Sequence, residues 1–212
     1  MIKCTLCAEK TNLFFTYEAR QSQRYYQCTN CHSILLHPDF YISSADEKTR
    51  YLTHNNDVED PGYRNFVTPL VQAVLNDFEA HHQGLDFGAG TGPVITHMLE
   101  DHGYQLTTYD PFFIPDPSAL DNTYDYIVCC EVIEHFHHPY KEFEKLKSLL
   151  KTNGVLFLKT DLYSEETDFE SWSYKDDATH TFFYHADALH WIQKHIGFSR
   201  LDIQENLISL NK

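Results

Sequence analysis

The 212-residue chain lacks long apolar runs, internal repeats and low-complexity tracts. No apolar run approaches the ~20 residues that cross a bilayer, so a membrane-spanning helix is not expected. The residues from Met1 to Cys4 lack the apolar stretch of a secretory signal. We therefore expect a cytoplasmic protein. Hydrophobic residues make up 42% of the chain, which is enough for a packed core.

Basic residues are scarce, because 16 Lys and Arg stand against 31 Asp and Glu, a formal net charge of −15. Nucleic-acid binding draws most of its affinity from cations that displace counterions from phosphates. The lysines between Lys141 and Lys151 share one predicted helix, but Glu142 and Glu144 interrupt them. We therefore expect a small-molecule partner and no nucleic-acid or membrane partner. The oligomeric state is left open.

Four of the six cysteines form two Cys-x-x-Cys pairs, Cys4 with Cys7 and Cys28 with Cys31. Each pair places two thiolates on one side of a tight turn, and two facing turns complete the tetrahedron of a zinc ribbon. Two disulfides in a secreted protein are the alternative, which the metal-like spacing disfavours. The spacing therefore predicts structural Zn²⁺, which would stabilise a unit too small to fold unaided. With four thiolates in place, His32 is not expected to be a ligand of this site.

Apolar periodicity predicts helices alternating with strands after residue 61. Helices are expected around 66–78, 93–103, 140–150 and 186–195, and strands at 85–87, 105–109, 124–130 and 155–158. This alternation favours an α/β fold with a doubly wound, mostly parallel sheet. Two last strands at 199–204 and 207–210 predict an antiparallel C-terminal hairpin.

The segment from Asp86 to Val94 is the most informative part of the chain, because glycines at 88, 90 and 92 alternate after a short apolar run. Each glycine lets the backbone turn tightly or approach a ligand where a Cβ would clash. A strand that breaks into such a loop and then opens a helix presents N–H groups to a cofactor. Pro93 stands where the dinucleotide pattern Gly-x-Gly-x-x-Gly has its third glycine, so that pattern is not met.

This loop resembles the first motif of class I S-adenosylmethionine-dependent methyltransferases, and the resemblance extends over residues 62–210. Asp110 ends the second strand, where the acidic residue of such folds accepts hydrogen bonds from ribose hydroxyls. Residues 125–136 resemble the fourth-strand motif of small-molecule methyltransferases. Residues 149–156 resemble the turn before the fifth strand, with Asn153 at a position that tolerates left-handed backbone. The closing hairpin is also a feature of this fold.

The resemblance implies methyl transfer from S-adenosylmethionine to the oxygen or carbon of a small molecule. The cofactor-binding residues that it implies are Asp86, Phe87, Gly88, Ala89, Gly90, Thr91, Gly92, Asp110, Pro111, Phe112, Cys130 and Glu131. A zinc ribbon before such a domain also resembles sugar C-methyltransferases, whose further C-terminal domain is not found within these residues.

Methyl transfer needs an acceptor atom in line with the methyl group, and a base helps when that atom carries a proton. We predict His135 and His180 as the catalytic residues. If residues 131–135 were helical, Glu131, Glu134 and His135 would share one side. That set resembles the magnesium-binding stretch of small-RNA 2′-O-methyltransferases and ubiquinone-pathway O-methyltransferases, so Mg²⁺ there is an alternative. In a third interpretation Glu134 only pairs locally and His135 packs against the sheet.

Two segments depart from ordinary connections. Residues 111–124 are few and contain three prolines, so we predict that one edge strand is lost or shortened. Asp121 or Asn122 is the expected substitute for the family's acidic contact to the adenine amine. The long loop over 161–175 carries four aromatic residues. It is either a lid over the site or a hydrophobic loop docked on the domain.

These patterns predict a zinc-ribbon module over 1–37, a connector over 38–61 that includes Asn55 and Asn56, and a methyltransferase domain over 62–212. The predicted function is methylation of a small molecule. The alternatives are an RNA methyltransferase, a nucleotide-binding oxidoreductase, and a non-catalytic interaction module that retains cofactor binding.

Overall fold

Ten strands and five α-helices follow one another along residues 2–53 and 57–212, the part of the chain that the computed structural model describes. They are β1 (Thr11–Tyr17), β2 (Gln23–Cys28), β3 (Ile34–Leu36), α1 (Ser44–Tyr51), α2 (Pro61–Asp77), β4 (Gly84–Phe87), α3 (Val94–Glu100), β5 (Leu106–Tyr109), β6 (Tyr124–Cys130), α4 (Pro139–Leu149), β7 (Leu150–Lys159), β8 (Phe182–Phe183), α5 (Ala186–Ile192), β9 (Arg200–Gln204) and β10 (Leu207–Asn211). Asn55 and Asn56 lie outside the described residues. None of the described helices has the length and apolarity to span a bilayer.

The larger sheet has the strand order β5-β4-β6-β7-β10-β9. Strand β4 pairs in parallel with β5 and with β6, and β6 pairs in parallel with β7. Strand β10 is antiparallel to both of its neighbours, β7 and β9. The predicted α/β fold with a mostly parallel sheet and a closing antiparallel hairpin is confirmed.

Both faces of this sheet are covered, which explains why its central strands are apolar throughout. Ile127 of β6 joins an apolar cluster with Phe143 of α4 and Ile192 of α5. The next residue, Val128, points to the other face and joins a cluster with Leu70 of α2. Successive side chains of a strand alternate between faces, so one apolar strand supplies both cores.

The sheet ends at β5, because the following residues form no further strand. Residues 110–123, all of them described, contain one bridge between Asp110 and Ile114 and a 3₁₀ turn at Pro117–Leu120. Proline lacks the N–H that a ladder or helix needs and fixes its own φ. The predicted loss of an edge strand is confirmed, and the chain returns directly to β6.

A smaller sheet joins the N-terminal part of the chain to its second half. Strands β1, β2 and β3 form an antiparallel meander, and β3 then pairs with β8. The amide N–H of Leu36 donates to the carbonyl oxygen of Thr181 over 3.0 Å. Residues 2–37, which we call the four-cysteine module, therefore share a sheet with the segment that follows His180. The division of the chain at residues 37 and 61 stays a prediction.

Several element bounds differ from the sequence prediction, among them the start of α2, which is Pro61 and not residue 66. Strand β7 begins at Leu150, before the expected 155, and passes through Asn153 with a φ of +64°. The expected left-handed backbone at Asn153 is thus confirmed inside the strand. The last helix is α-helical only to Ile192 and continues as a π-helical turn over Gln193–Gly197.

The aromatic loop over 161–175 is docked on the smaller sheet. The ring of Phe169 lies 5.6 Å from Phe15, 5.2 Å from Tyr25 and 5.5 Å from Phe183, between ring centroids. Such edge-on aromatic contacts add to the burial of the rings themselves. Of the two alternatives, the docked hydrophobic loop is therefore the one that agrees with the structure. The end of the loop places Tyr174 at the edge of the larger sheet.

Candidate cofactor and acceptor site

A cavity of about 990 Å³ lies at the carboxyl ends of β4, β5 and β6. Ligands of doubly wound sheets bind at this edge. The loops after these three strands form one side, and α1 with the 3₁₀ turn Ser173–Asp176 forms the other. Its walls include Arg50, Tyr51, Tyr63, Phe87, Gly88, Ala89, Gly90, Tyr109, Asp110, Pro111, Phe112, Phe113, Cys130, Glu131, Val132, His135, Lys145, Tyr174 and His180.

The glycine loop is pressed against the segment after β6. Gly88 has a φ of +81°, and a Cβ built there would lie 2.4 Å from Cγ2 of Val132. Its N–H donates to the carbonyl oxygen of Tyr109 over 2.8 Å. Gly90 also has a positive φ of +65°. Glycine is therefore required at 88 for two reasons, backbone angle and close approach.

Asp110 is held in place by three backbone N–H groups. Its Oδ2 accepts from Gly90 over 3.0 Å, and its Oδ1 accepts from Phe112 over 2.8 Å and from Phe113 over 3.0 Å. A carboxylate has about four acceptor positions, so one remains toward the cavity that Asp110 lines. These bonds hold the glycine loop to the end of β5 and orient the carboxylate before a ligand binds.

Nine of the predicted cofactor-binding residues line the cavity, and Asp86, Thr91 and Gly92 do not. Asp86 is buried beneath the loop, where its Oδ2 accepts from the hydroxyl of Thr96 over 2.8 Å. Burial raises the pKa of Asp86 to about 6, although the Thr96 hydrogen bond opposes that shift. Asp86 thus joins β4 to α3 through this hydrogen bond. Side chains of a strand alternate between the two faces of the sheet, and that of Asp86 points to the face covered by α3 and not into the cavity.

The segment after β6 places an acidic residue on the cavity wall. Glu131 adopts a φ of +52°, and its N–H donates to the carbonyl oxygen of Lys159 over 2.8 Å. Burial, followed by the nearby carboxylates of Glu134 and Asp161, raises the pKa of Glu131 to about 9. Its side chain therefore keeps its proton to a higher pH than an exposed glutamate does. The neighbouring thiol of Cys130 also has a pKa above its ordinary value because it is buried.

Glu134 is buried behind this wall and is bound by two hydroxyls. Its Oε1 accepts from the hydroxyl of Tyr174 over 2.5 Å, and its Oε2 accepts from Thr160 over 3.2 Å. Burial raises the pKa of Glu134 to about 7. His180 Nε2 lies 3.9 Å from Glu134 Oε1. Residues Ile133–His135 form a 3₁₀ turn and not an α-helix, so the helical spacing considered from sequence does not apply.

Two imidazoles stand side by side in the cavity wall, with ring centroids 4.8 Å apart. His135 Nδ1 donates to the carbonyl oxygen of Thr179 over 3.0 Å, and His180 Nδ1 donates to that of Tyr174 over 2.7 Å. Each carbonyl keeps the proton on Nδ1, so the lone pair of a neutral ring is on Nε2. Ligand atoms of Glu134, His135 and His180 lie within 4.8 Å of one another, and Glu131 does not belong to this group. The group can act as a base or hold a cation.

Helix α1 supplies a wall that sequence reasoning missed. The ring of Tyr51 lies 5.3 Å from His135 and 5.5 Å from Phe112, and burial raises its pKa. Arg50 binds Oδ2 of Asp177 through Nε at 3.1 Å and a terminal nitrogen at 2.7 Å, which ties α1 to the His180 segment. The N-cap at Ser43, whose hydroxyl accepts from the N–H of Asp46, was the available signal for a helix here.

The expected adenine-side substitutes are not on the cavity wall. Neither Asp121 nor Asn122 lines it, and Asn122 borders a separate cavity of about 580 Å³ with His82 and Gln105. The reason is the path of the chain, which after Pro117 has already turned back toward the start of β6. The adenine contact at Asp121 or Asn122 stays a prediction that the lining of this cavity does not support.

The four-cysteine module gathers its thiols at one point. All four Sγ atoms lie within 4.8 Å of one another, with Cys4 and Cys31 at 3.7 Å and Cys7 and Cys28 at 3.4 Å. A tetrahedral zinc ion with bonds of about 2.3 Å has sulfur–sulfur edges of about 3.8 Å. The donor set thus fits zinc in chemistry and spacing, and the six cysteines form no disulfide.

A family model described as a methyltransferase domain matches residues 61–202. Two curated relatives are ubiquinone biosynthesis O-methyltransferases. That of Haemophilus ducreyi is 35% identical over 57 residues, 27% of this chain and 24% of the relative. That of Actinobacillus pleuropneumoniae serotype 5b is 31% identical over 81 residues, 36% of this chain and 35% of the relative. The chain thus matches only 24% to 35% of the length of these relatives.

Solved structures share the fold at low identity. The 1,6-didemethyltoxoflavin-N1-methyltransferase of Burkholderia thailandensis, solved with S-adenosylhomocysteine, superposes with a TM-score of 0.58 at 13% identity. The superposition covers 94% of this chain and 99% of the Burkholderia thailandensis enzyme. A phosphoethanolamine N-methyltransferase of Haemonchus contortus gives a TM-score of 0.57 at 16% identity, over 81% of this chain and 48% of its own.

Proposed function

The chain belongs to the methyltransferase domain family, and from this premise we propose that it transfers a methyl group from S-adenosylmethionine to a small-molecule acceptor. The single observation that carries the proposal is the bond from the Gly90 N–H to Asp110 at the cavity. It joins the glycine loop to the carboxylate that such folds use for a ribose. The residues fit the cofactor, because Gly88 and Gly90 line the cavity without side chains and Asp110 lies beside them.

Each part of the cofactor site has an assigned role. Gly88 and Gly90 let the cofactor approach bare backbone closely, while their N–H groups hold the loop to the carbonyl oxygen of Tyr109 and to Oδ2 of Asp110. Asp110 accepts a hydrogen bond from a ribose hydroxyl at its remaining acceptor position, and Phe112 covers the adenine face by stacking. Asp86 supports the loop from beneath.

His135 and His180 serve the acceptor side. When bound, S-adenosylmethionine supplies an electrophilic methyl group on its sulfonium. The Nδ1–H of each imidazole is held by a carbonyl, so Nε2 is the atom that takes a proton from an acceptor hydroxyl or acidic C–H. The rings of Tyr51 and Tyr174 pack against these imidazoles and narrow the enclosure around them. Positioning of the acceptor in this enclosure supplies much of the rate.

The charges of the cavity favour a small molecule over RNA. Among the described residues, two lysine or arginine side chains line it, and both are paired, Arg50 with Asp177 at 2.7 Å and Lys145 with Glu142 at 3.8 Å. The formal net charge of −15 adds long-range repulsion of phosphates.

Transfer is tested with methyl-labelled S-adenosylmethionine, a small-molecule extract and, separately, total RNA. We expect label in small-molecule products from the wild type and its loss in H180N, with S-adenosylhomocysteine binding unchanged in that variant. Label confined to RNA supports the RNA alternative. Cofactor binding with no transfer to either fraction supports a non-catalytic interaction module and contradicts the proposal.

A cation-assisted reaction is the second candidate, because Glu134, His135 and His180 place their ligand atoms within 4.8 Å. A ring that donates Nδ1–H to a carbonyl is the usual arrangement of a metal-bound histidine. Two imidazoles and one carboxylate suit a transition metal better than Mg²⁺, which was the alternative considered for Glu131, Glu134 and His135. Activity that is lost in a chelator at a concentration that leaves the cysteine-bound metal in place, and that returns with Mn²⁺ or Zn²⁺, supports this candidate.

Structural zinc at Cys4, Cys7, Cys28 and Cys31 completes the proposal. Four thiols that stay reduced to bind a metal suit a cytoplasmic location. One equivalent of zinc per chain by elemental analysis, lost in C28S, is the expected result. Zinc that persists unchanged in C28S contradicts the assignment.

A further inference from the structure

A second cluster of metal-ligating side chains lies outside the cavity, where the four-cysteine module meets α5. His32 directly follows Cys31, His185 is the N-cap of α5, and Asp187 lies in its first turn. One ligand atom from each lies within 4.8 Å of the other two. We propose that His32, His185 and Asp187 bind a divalent transition-metal cation that joins the module to α5.

The spacing of the ligand atoms is close to that of a metal site. Oδ2 of Asp187 accepts from Nδ1 of His32 over 2.7 Å and lies 3.5 Å from Nδ1 of His185. Tetrahedral bonds of about 2.0–2.2 Å imply ligand–ligand edges of about 3.3–3.6 Å. The 3.5 Å distance already agrees, and the 2.7 Å distance needs a shift of less than 1 Å by an exposed side chain. The third separation, between the two imidazole nitrogens, is within 4.8 Å.

The hydrogen bonds around His185 prepare its Nδ1 as a ligand. Its Nε2 donates to Oε2 of Glu165 over 3.3 Å, so the lone pair is on Nδ1, where it accepts from the N–H of Asp187 over 3.1 Å. A carboxylate behind a ligating imidazole is the common outer partner of bound metals. A cation would replace the single N–H bond to Nδ1. The Nδ1 proton of His32 would move to its solvent-facing Nε2.

Charge and ligand type define the cation. The two neutral imidazoles with Asp187 and Glu165 carry a formal charge of −2, which a divalent cation balances. Nitrogen-rich sets of this kind select Zn²⁺, Ni²⁺ or Cu²⁺ over Mg²⁺ and Ca²⁺. The side chains of His32 and Asp187 are 43% and 50% exposed, so water can complete the coordination. The bound ion would link the turn after Cys31 to α5, close to strand β8.

The site is tested by calorimetric titration with Ni²⁺ of the full chain that carries a single equivalent of zinc, at its four cysteines. We expect one equivalent of Ni²⁺ that is lost, or weakened at least about 100-fold, in each of H32N, H185N and D187N, since even an outer partner contributes 10–100-fold. Asparagine suits all three positions. It tolerates the φ of +56° at His32 and can still cap α5 at 185.

Two controls separate this site from other histidines. H81N removes one of the adjacent surface imidazoles His81 and His82, whose rings lie 4.2 Å apart, and H180N removes a ligand of the cavity group. Both variants should still bind the one equivalent of Ni²⁺ that is assigned to His32, His185 and Asp187. The proposal is overturned if the wild type binds no such equivalent, or if H81N or H180N abolishes it while D187N, which keeps both imidazoles, does not.

Discussion

Replacing Gly88 by alanine tests whether the glycine loop has the geometry described. The residue has a φ of +81°, and a Cβ would lie 2.4 Å from Cγ2 and 3.0 Å from Cγ1 of Val132. The left-handed backbone contributes about 1–2 kcal/mol of strain for a residue with a Cβ. Overpacking against Val132 adds about 1–3 kcal/mol. Together they predict that G88A lowers the free energy of unfolding by about 2–5 kcal/mol.

The chain offers a matched control at Gly103, which has a φ of +84° and no atom within 4 Å of a built Cβ. G103A therefore carries the backbone strain without the clash. Urea unfolding should show G88A less stable than G103A by the overpacking difference, about 1–3 kcal/mol. The double variant G88A/V132A should recover that part, measured against V132A. Equal stabilities of G88A and G103A, or no recovery in the double variant, would refute the reasoning.

Three further outcomes are expected. D110A should weaken S-adenosylhomocysteine binding about tenfold to hundredfold, the loss of one charged hydrogen bond of about 1.5–3 kcal/mol; the exposed variant D101N should bind as the wild type does, and equal affinity of both variants would count against the ribose role. Asp86 has a pKa of about 6 against an ordinary 3.8, so the folded state holds the proton more tightly than the unfolded state. Wild-type stability should then fall by about 2 kcal/mol relative to D86N as the pH rises from about 4 to 6, and parallel curves in urea unfolding would contradict this. Removing zinc from the four-cysteine module should speed hydrogen exchange in β8 and at His180, because β8 pairs with β3, while β4 to β6 stay protected. Exchange rates in β8 that do not change on zinc removal would contradict that coupling.

Local patterns predicted the larger sheet well. The buried strands carry continuous apolar runs, and their helices carry periodic apolar residues. A continuous apolar run indicates a strand that is packed on both faces, as β6 is. The glycines of the loop and Asp110 were also readable, because a positive φ and a strand-ending carboxylate constrain the residue type directly. The short segment before Asp125 predicted the missing edge strand through its prolines.

Long-range pairings could not be predicted from the same patterns. Strand β8 has two residues and exists only because β3, far away in sequence, pairs with it. Tyr174 reaches Glu134 because the aromatic loop docks on the four-cysteine module, and no local periodicity reports that contact. Tyr51 was seen only as part of a connector, since an eight-residue helix with a polar face gives a weak apolar signal.

Calorimetric titration of the unmodified chain with S-adenosylhomocysteine, and separately with NAD⁺, tests the central assignment most directly. The arrangement of the glycine loop and Asp110 predicts one-to-one binding of S-adenosylhomocysteine and no heat of binding with NAD⁺. Binding of NAD⁺ with none of S-adenosylhomocysteine would contradict the account.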